Sequence, residues 1–231
     1  MGNYSHDDFI KYTKFRMGQR TDLSSVDNED FYGLWVNSAY KDLTSKNRIF
    51  GIKGFQNKVY FPELEDADTS QSTSDGQAYI NVPTSALIIR AVEDTTNDRI
   101  LAPISWSRYK SHKGRADTSA ESEPLEWVRR GGRVYLFPTP DDTYAMTIDY
   151  RKKITTNISG DSTTDIGGEW DDPIVQLATY KGLMWMNENP ELIQAVKGEF
   201  METIADLLGV YFQDEIGRVS YMHLDPSYNK R

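Results

Sequence analysis

The sequence predicts an α+β protein. A helical bundle is built from the N- and C-terminal helices, a mainly antiparallel β domain is inserted between them, and an extended C-terminal tail follows. Three observations predict it. Apolar residues recur at steps of three and four near both ends, the middle turns to short β-branched and aromatic runs, and the stretch after Gly217 is polar with scattered aromatics. The implied organisation is 1–48 for the first bundle helices, 49–160 for the β-rich insertion, 161–216 for the last bundle helices and 217–231 for the tail.

The elements follow in order. Ser5 with Asp8 three residues on reads as a capping box with a shortened acid, and Phe9, Ile10, Tyr12 and Phe15 continue it into a helix from about Asp7 to Met17. Asn28 is the expected N-cap of a second helix, with Glu29 and Asp30 in its first turn. Phe31, Leu34, Trp35, Ala39 and Leu43 carry its apolar stripe to about Ser45. "NKVYF", "QAYINV" and "ALIIRAV" read as strands, and Ala86–Val92 with Arg99–Ser105 as a hairpin around "EDTTND". In "EWVRRGGRVYLF" two strands meet at Gly131-Gly132, where glycine supplies the positive φ of a tight turn. "PTPDD" ends that strand, and "TYAMTIDYRKK" alternates with Tyr144, Met146, Ile148 and Tyr150 on one face. Glu63–Gln77 and Lys110–Pro124 are too polar to bury much and read as long surface loops or partly disordered arms.

Towards the C-terminus, Asp171 or Asp172 caps a helix with Pro173 in its first turn and Ile174, Leu177, Ala178 and Leu183 on one side. Asn189 then caps a fourth helix that opens at Pro190. Its stripe is Ile193, Val196, Phe200, Ile204, Leu207 and Tyr211, widened by Leu192, Met201 and Leu208.

Composition narrows the function. The chain of 231 residues has no cysteine, which removes disulfides, thiolate zinc sites and thiol nucleophiles. With 26 Lys and Arg against 35 Asp and Glu, the net charge is −9, so its overall field does not grip nucleic acid, although like charge lets a polyanion slide past. Fourteen Tyr and five Trp argue for a folded chain and for buried interfaces. No signal peptide, myristoylation pattern or membrane-length apolar run is read, and the Asn3 and Asn157 glycosylation patterns mean nothing without secretion.

No enzyme constellation emerges, and neither cofactor nor metal is expected. Gly131-Gly132 lacks the Lys and Ser or Thr that a phosphate-cradling loop needs. Asp141-Asp142 reads as turn chemistry and Asp171-Asp172 as capping. His6, His112 and His223 stand in three unrelated polar contexts, and no serine sits in Gly-x-Ser-x-Gly. "DADTSQSTSDGQ" lacks the spaced acids and closing Glu of a calcium loop. One local basic cluster remains: Arg108, Lys110, Lys113 and Arg115, beside Tyr109. A solvated loop tip, or a patch meeting an acidic neighbouring subunit, suits it better than a contact with nucleic-acid phosphates, given the acidic total. Met184, Trp185 and Met186 suit core or subunit interface.

The stretch "YLFPTPDDTYAMTIDYRKKITTNISGDSTTDIGGEWDDPIVQLATYKGL" resembles the second half of head-to-tail adaptor (connector, head completion) proteins of tailed bacteriophages, and "RMGQRTDL" before a helix with "LWVNSAYKDL" resembles their first helices. The resemblance implies a dodecameric ring docked beneath the portal, joining head to tail around the DNA path. Its partners would be the portal protein, a tail or nozzle protein and other copies of itself. DNA would pass without sequence-specific binding and no membrane would be involved. It implies a virion neck protein assembled in the host bacterial cytoplasm. In the tail, Arg218, Tyr221, Met222, Leu224 and Tyr228 are the candidate anchors for portal or neighbour. The alternatives are a tail-associated cell-wall hydrolase and a β-rich carbohydrate-binding virion module.

Overall fold

The computed structural model describes residues 2–19, 23, 30–46, 48–53, 55, 61–114 and 121–222, with side chains described throughout except at 53 and 209–222. The chain forms two compact units. The first joins Met1–Glu63 to Ile154–Arg231, and the second is Leu64–Lys153.

The first unit is helical. Helix α1 (His6–Arg16) opens with the capping box: Asp8 N–H donates to Ser5 Oγ at 3.2 Å, and Ser5 N–H donates to Asp8 Oδ2 at 3.2 Å. Helix α2 (Phe31–Ser45) is capped by Asp30, whose carboxylate accepts from Tyr32 N–H at 3.0 Å. The cap therefore lies two residues past the expected Asn28, which with Glu29 is outside the described residues. A two-residue ladder, β1 (Arg48–Ile49) with β2 (Ile52–Lys53), follows α2.

Helices α4 (Asp171–Trp185) and α5 (Pro190–Met222) close the unit: α2 packs on α4, α4 on α5, and α1 on both α2 and α4. Ile193, Val196, Phe200 and Ile204 are buried along α5, while Leu192 is exposed. Asn189 caps α5 by accepting from Glu191 N–H at 2.9 Å. Two expectations need correction. Asp171 and Asp172 do not cap α4, because a 3-10 turn (Gly168–Trp170) runs straight into it and leaves no extended residue to act as a cap. The chain also does not leave the helix at Gly217: α5 continues to Met222, since one glycine costs only about 1 kcal/mol in a long helix. Residues 223–231 are outside the described residues.

The second unit is a pair of four-stranded sheets. One has the order β3 (Glu65–Ser72), β10 (Ala145–Lys152), β5 (Ala86–Asp94), β6 (Arg99–Ile100), and the other β4 (Tyr79–Asn81), β9 (Arg133–Phe137), β8 (Glu126–Arg130), β7 (Ala102–Pro103). Period-two alternation sends Met146, Ile148 and Tyr150 from one sheet, and Ile80, Val134, Leu136 and Trp127 from the other, into one core. The β8–β9 hairpin turns at Gly131-Gly132, with φ of +61° at Gly131 alone of the pair, as a type II′ turn requires.

Four β-region expectations change. Glu63–Gln77 is no loop: it contains β3, an edge strand held by antiparallel backbone bonds to β10, so polar side chains can stay in water. Arg99–Ser105 is not one hairpin arm. Buried Leu101 marks a crossing, after which β7 pairs in parallel with β8 in the other sheet. Lys110–Pro124 begins inside helix α3 (Trp106–Lys113), capped by Ser105, which accepts from Arg108 N–H. Of "NKVYF", residues 57–60 lie outside the described residues, and Phe61 is buried against Trp170 rather than in a strand.

Candidate interaction surfaces

The predicted basic cluster falls on α3 rather than on a loop. Tyr109 is the buried anchor of this helix, 5.7 Å from the Tyr135 ring, with Trp106 stacked on Tyr109 at 5.1 Å and His112 on Phe137 at 4.8 Å. Tyr135 and Phe137 point outward on β9 because Val134 and Leu136 point into the core. Helix α3 is thereby held on the outer face of its sheet by rings.

Cations cover those rings. Arg130 lies over Trp106 at 4.2 Å, Lys110 over the same ring at 5.5 Å, Lys113 over Tyr109 at 5.8 Å and Arg133 over Tyr79 at 4.0 Å. Arg108 instead pairs with Glu126 at 2.7 Å. Arg115 is outside the described residues. The face therefore brings Lys110 and Lys113 together with Arg130 and Arg133, which the sequence reading passed over as turn flanks. The signal was there: "RRGGR" puts arginines on both sides of a tight turn, and Arg130 and Arg133 are directly cross-strand partners.

The candidate acids remain structural. Asp141 accepts from the Tyr144 hydroxyl and Asp142 from Thr143 N–H, each at 2.7 Å, so the pair serves a turn rather than one shared atom. The Asp141 hydrogen bond, with burial and the charges of Asp141, Glu123 and Asp142, pushes the Tyr144 phenol up to about 12. Asp171 accepts from Asn3 N–H at 2.7 Å and Tyr4 N–H at 3.0 Å, fixing the N-terminal segment to α4. Burial raises its pKa, and those two N–H donors counteract the rise. Among the described residues no group of three His, Asp or Glu could hold a metal ion. His6 contacts Asn37, His112 lies beside Glu126, and His223 is outside the described residues.

The helical unit carries an exposed aromatic patch. Trp185 packs against Phe31 at 5.1 Å and Trp35 at 5.9 Å, yet stays 60% exposed; Met184, next to Trp185 in sequence, and Leu34, next to Trp35, are also exposed. A cavity of about 310 Å³ is lined by Asp42, Lys46, Arg48, Phe50, Tyr180 and Lys181, among others. Its half-buried Lys181 donates to Asp42 and to Ser38 Oγ, and desolvation lowers its pKa. Of the tail candidates, Arg218, Tyr221 and Met222 fall on the end of α5, where side chains are not described, and Leu224 and Tyr228 lie beyond.

No helix among the described residues is long and apolar enough to cross a membrane. A search of curated proteins finds no match. A sequence profile of the family described as SU10 adaptor protein matches residues 7–222, which takes in both compact units and nearly the whole chain. The chain thus belongs to the SU10 adaptor protein family, a family of phage head-to-tail adaptors, and is a structural component of the phage virion.

Proposed function

We propose that the chain assembles as a ring, dodecameric in number, between the portal and the tail or nozzle protein, with DNA passing through its lumen. The family membership carries this reading. The surfaces support it: a subunit in such a ring needs two different contact patches, and the Phe31–Trp185 patch and the cation-covered face of α3 are different in kind. A net charge of −9 suits a lumen that lets DNA slide. The 217–231 segment, with Arg218, Tyr221, Met222, Leu224 and Tyr228, is the proposed anchor to the portal or to a neighbour. The subunit would assemble in the host cytoplasm and reside in the neck of the virion. A hydrolase would need carboxylates converging on one atom, whereas Asp141, Asp142 and Asp171 each serve backbone or phenol donors.

Mass measured in solution, alone and mixed with purified portal, tests the ring. A ring on the portal is the expected result. A chain that stays monomeric with portal and turns over peptidoglycan would replace the reading with the hydrolase. Deleting 218–231 should leave a folded protein that fails to join portal-bearing heads. Normal joining by that truncation removes the anchor while leaving the ring intact.

A further inference from the structure

We propose that the cation-covered face of α3 and the β8–β9 turn docks onto an acidic cluster at the opposite end of β9 in a second copy of the chain. This head-to-tail contact rests on the ring reading and names where the copies touch.

The basic face runs against the composition. Acids outnumber bases 35 to 26, yet among the described residues none of Lys110, Lys113, Arg130 and Arg133 pairs with a carboxylate. Arg130 and Arg133 sit directly opposite each other, an arrangement that costs stability between like charges. Aromatic faces hold them instead, and a ring contact leaves the guanidinium N–H edges free to donate outward. A carboxylate-bearing surface satisfies those donors bidentately.

The chain supplies such a surface. Gly76 N–H donates to Pro140 O and Ser122 N–H to Thr139 O, each at 2.9 Å, and Thr73 Oγ1 donates to Asp142 O at 2.8 Å. These bonds draw three turns together, and with them the exposed Asp75, Glu121, Glu123, Asp141 and Asp142. Arg99, 3.3 Å from Glu123, offsets one of these charges. The raised Tyr144 phenol registers the same crowding of negative charge.

The two poles flank one strand. Arg133 begins β9 and Asp141-Asp142 follow its end, so they stand apart by roughly 17 Å of strand at about 3.3 Å per residue. Opposite charges at opposite ends suit a heterologous contact, in which one patch of each copy meets a different patch of the next. Single-stranded nucleic acid fits the face less well, because the Trp106, Tyr109 and Tyr79 rings that bases would stack on are already covered by cations.

The cysteine-free chain allows a direct test. Gly132 has no atom within 4 Å of an added Cβ and no positive φ, and Asp142 is exposed, so Gly132→Cys and Asp142→Cys should both fold. Mixed on portal-bearing heads with a short bismaleimide, the two variants should cross-link to each other, and the double variant should give a ladder of multimers. Arg130→Glu with Arg133→Glu should raise the concentration needed for assembly by roughly tenfold or more, and adding Asp141→Arg with Asp142→Arg should restore it. A ring without the 132–142 cross-link, or without rescue by the charge swap, removes this contact and leaves the ring reading standing. Absence of any ring on the portal removes both. If the reversed arginines leave the ring unchanged but abolish binding of a labelled DNA duplex, the face is a phosphate contact and the proposal is overturned.

Discussion

Asn37→Ala tests how the segment returning from the second unit is fixed to the helices. Asn37 is buried on α2, and its side chain treats Ile158 as a strand would treat a partner: Oδ1 accepts Ile158 N–H at 2.8 Å, and Nδ2 donates to Ile158 O at 3.1 Å. Nδ2 also donates to Gly33 O at 3.1 Å. Alanine leaves the N–H and the C=O of buried Ile158 unpaired together. At about 1–2 kcal/mol for each orphaned group, the loss should be about 2–4 kcal/mol. Guanidinium unfolding followed by far-ultraviolet circular dichroism reads the helical unit, and the midpoint should fall with the slope unchanged. Asn37→Asp sharpens the test. It keeps the acceptor for Ile158 N–H but turns a charged oxygen towards two carbonyls, so its carboxyl pKa should rise on folding. The folded state then holds the proton more tightly, and this variant should lose stability as pH climbs through that range. A loss under about 1 kcal/mol for the alanine, or an aspartate variant as stable as the parent at neutral pH, would refute the pairing argument.

Three further outcomes are expected. A Cβ at Gly182 of α4 would lie 2.8 Å from Trp35 ring carbons and 2.6 Å from Met17 Cε, so Gly182→Ala should destabilise by about 1–2 kcal/mol in the same titration, despite the better helix propensity of alanine. Gly131→Ala should cost about 1 kcal/mol because of its positive φ, while Gly132→Ala should be near neutral; equal effects would contradict the type II′ turn. In a spectrophotometric titration Tyr144 should ionise near 12, and Asp141→Asn should bring it down towards the ordinary value near 10. Because the fold favours the neutral phenol, that contribution to stability is full below pH 10 and fades as pH rises through about 12.

Legibility followed the range of the interaction. The α1 capping box and the β8–β9 turn rest on residues within three positions of each other, and both were readable. Strand β3 was not, because its residues "EDADTSQS" have no apolar face, and the ladder to β10 that defines it forms across more than seventy residues. Helix α3 carries only Trp106 and Tyr109 at helical spacing among polar residues, and stacking on β9 decides its state. Asp171 was named from its place before Pro173. Its partners Asn3 and Tyr4 lie 168 and 167 residues away, so local pattern could only suggest a cap. At the basic face, charge density exposed Lys110 and Lys113, whereas Arg130 and Arg133 were absorbed by the stronger turn signal between them.

The aromatic surplus has two destinations, and separating them bears on function. Part of it forms the exposed Phe31–Trp185 patch, as expected for an interface. The other part holds like charges together: Trp106 under Arg130 and Tyr79 under Arg133 offset a cross-strand repulsion that a neutral pair would avoid. Replacing both arginines therefore separates stability from assembly. Arg130→Thr with Arg133→Thr forfeits two cation–ring contacts of about 0.5–1 kcal/mol each but removes a repulsion of similar size and introduces a favourable cross-strand threonine pair. Unfolding free energy should stay within about 1 kcal/mol of the parent, while the concentration needed for ring formation on the portal should rise, by less than the charge-reversed pair raises it. A loss above about 3 kcal/mol would make the arginines structural members of the hairpin. Unchanged stability with unchanged rings would leave them as ordinary solvated charges, and the aromatic rings beneath them as packing for α3 alone.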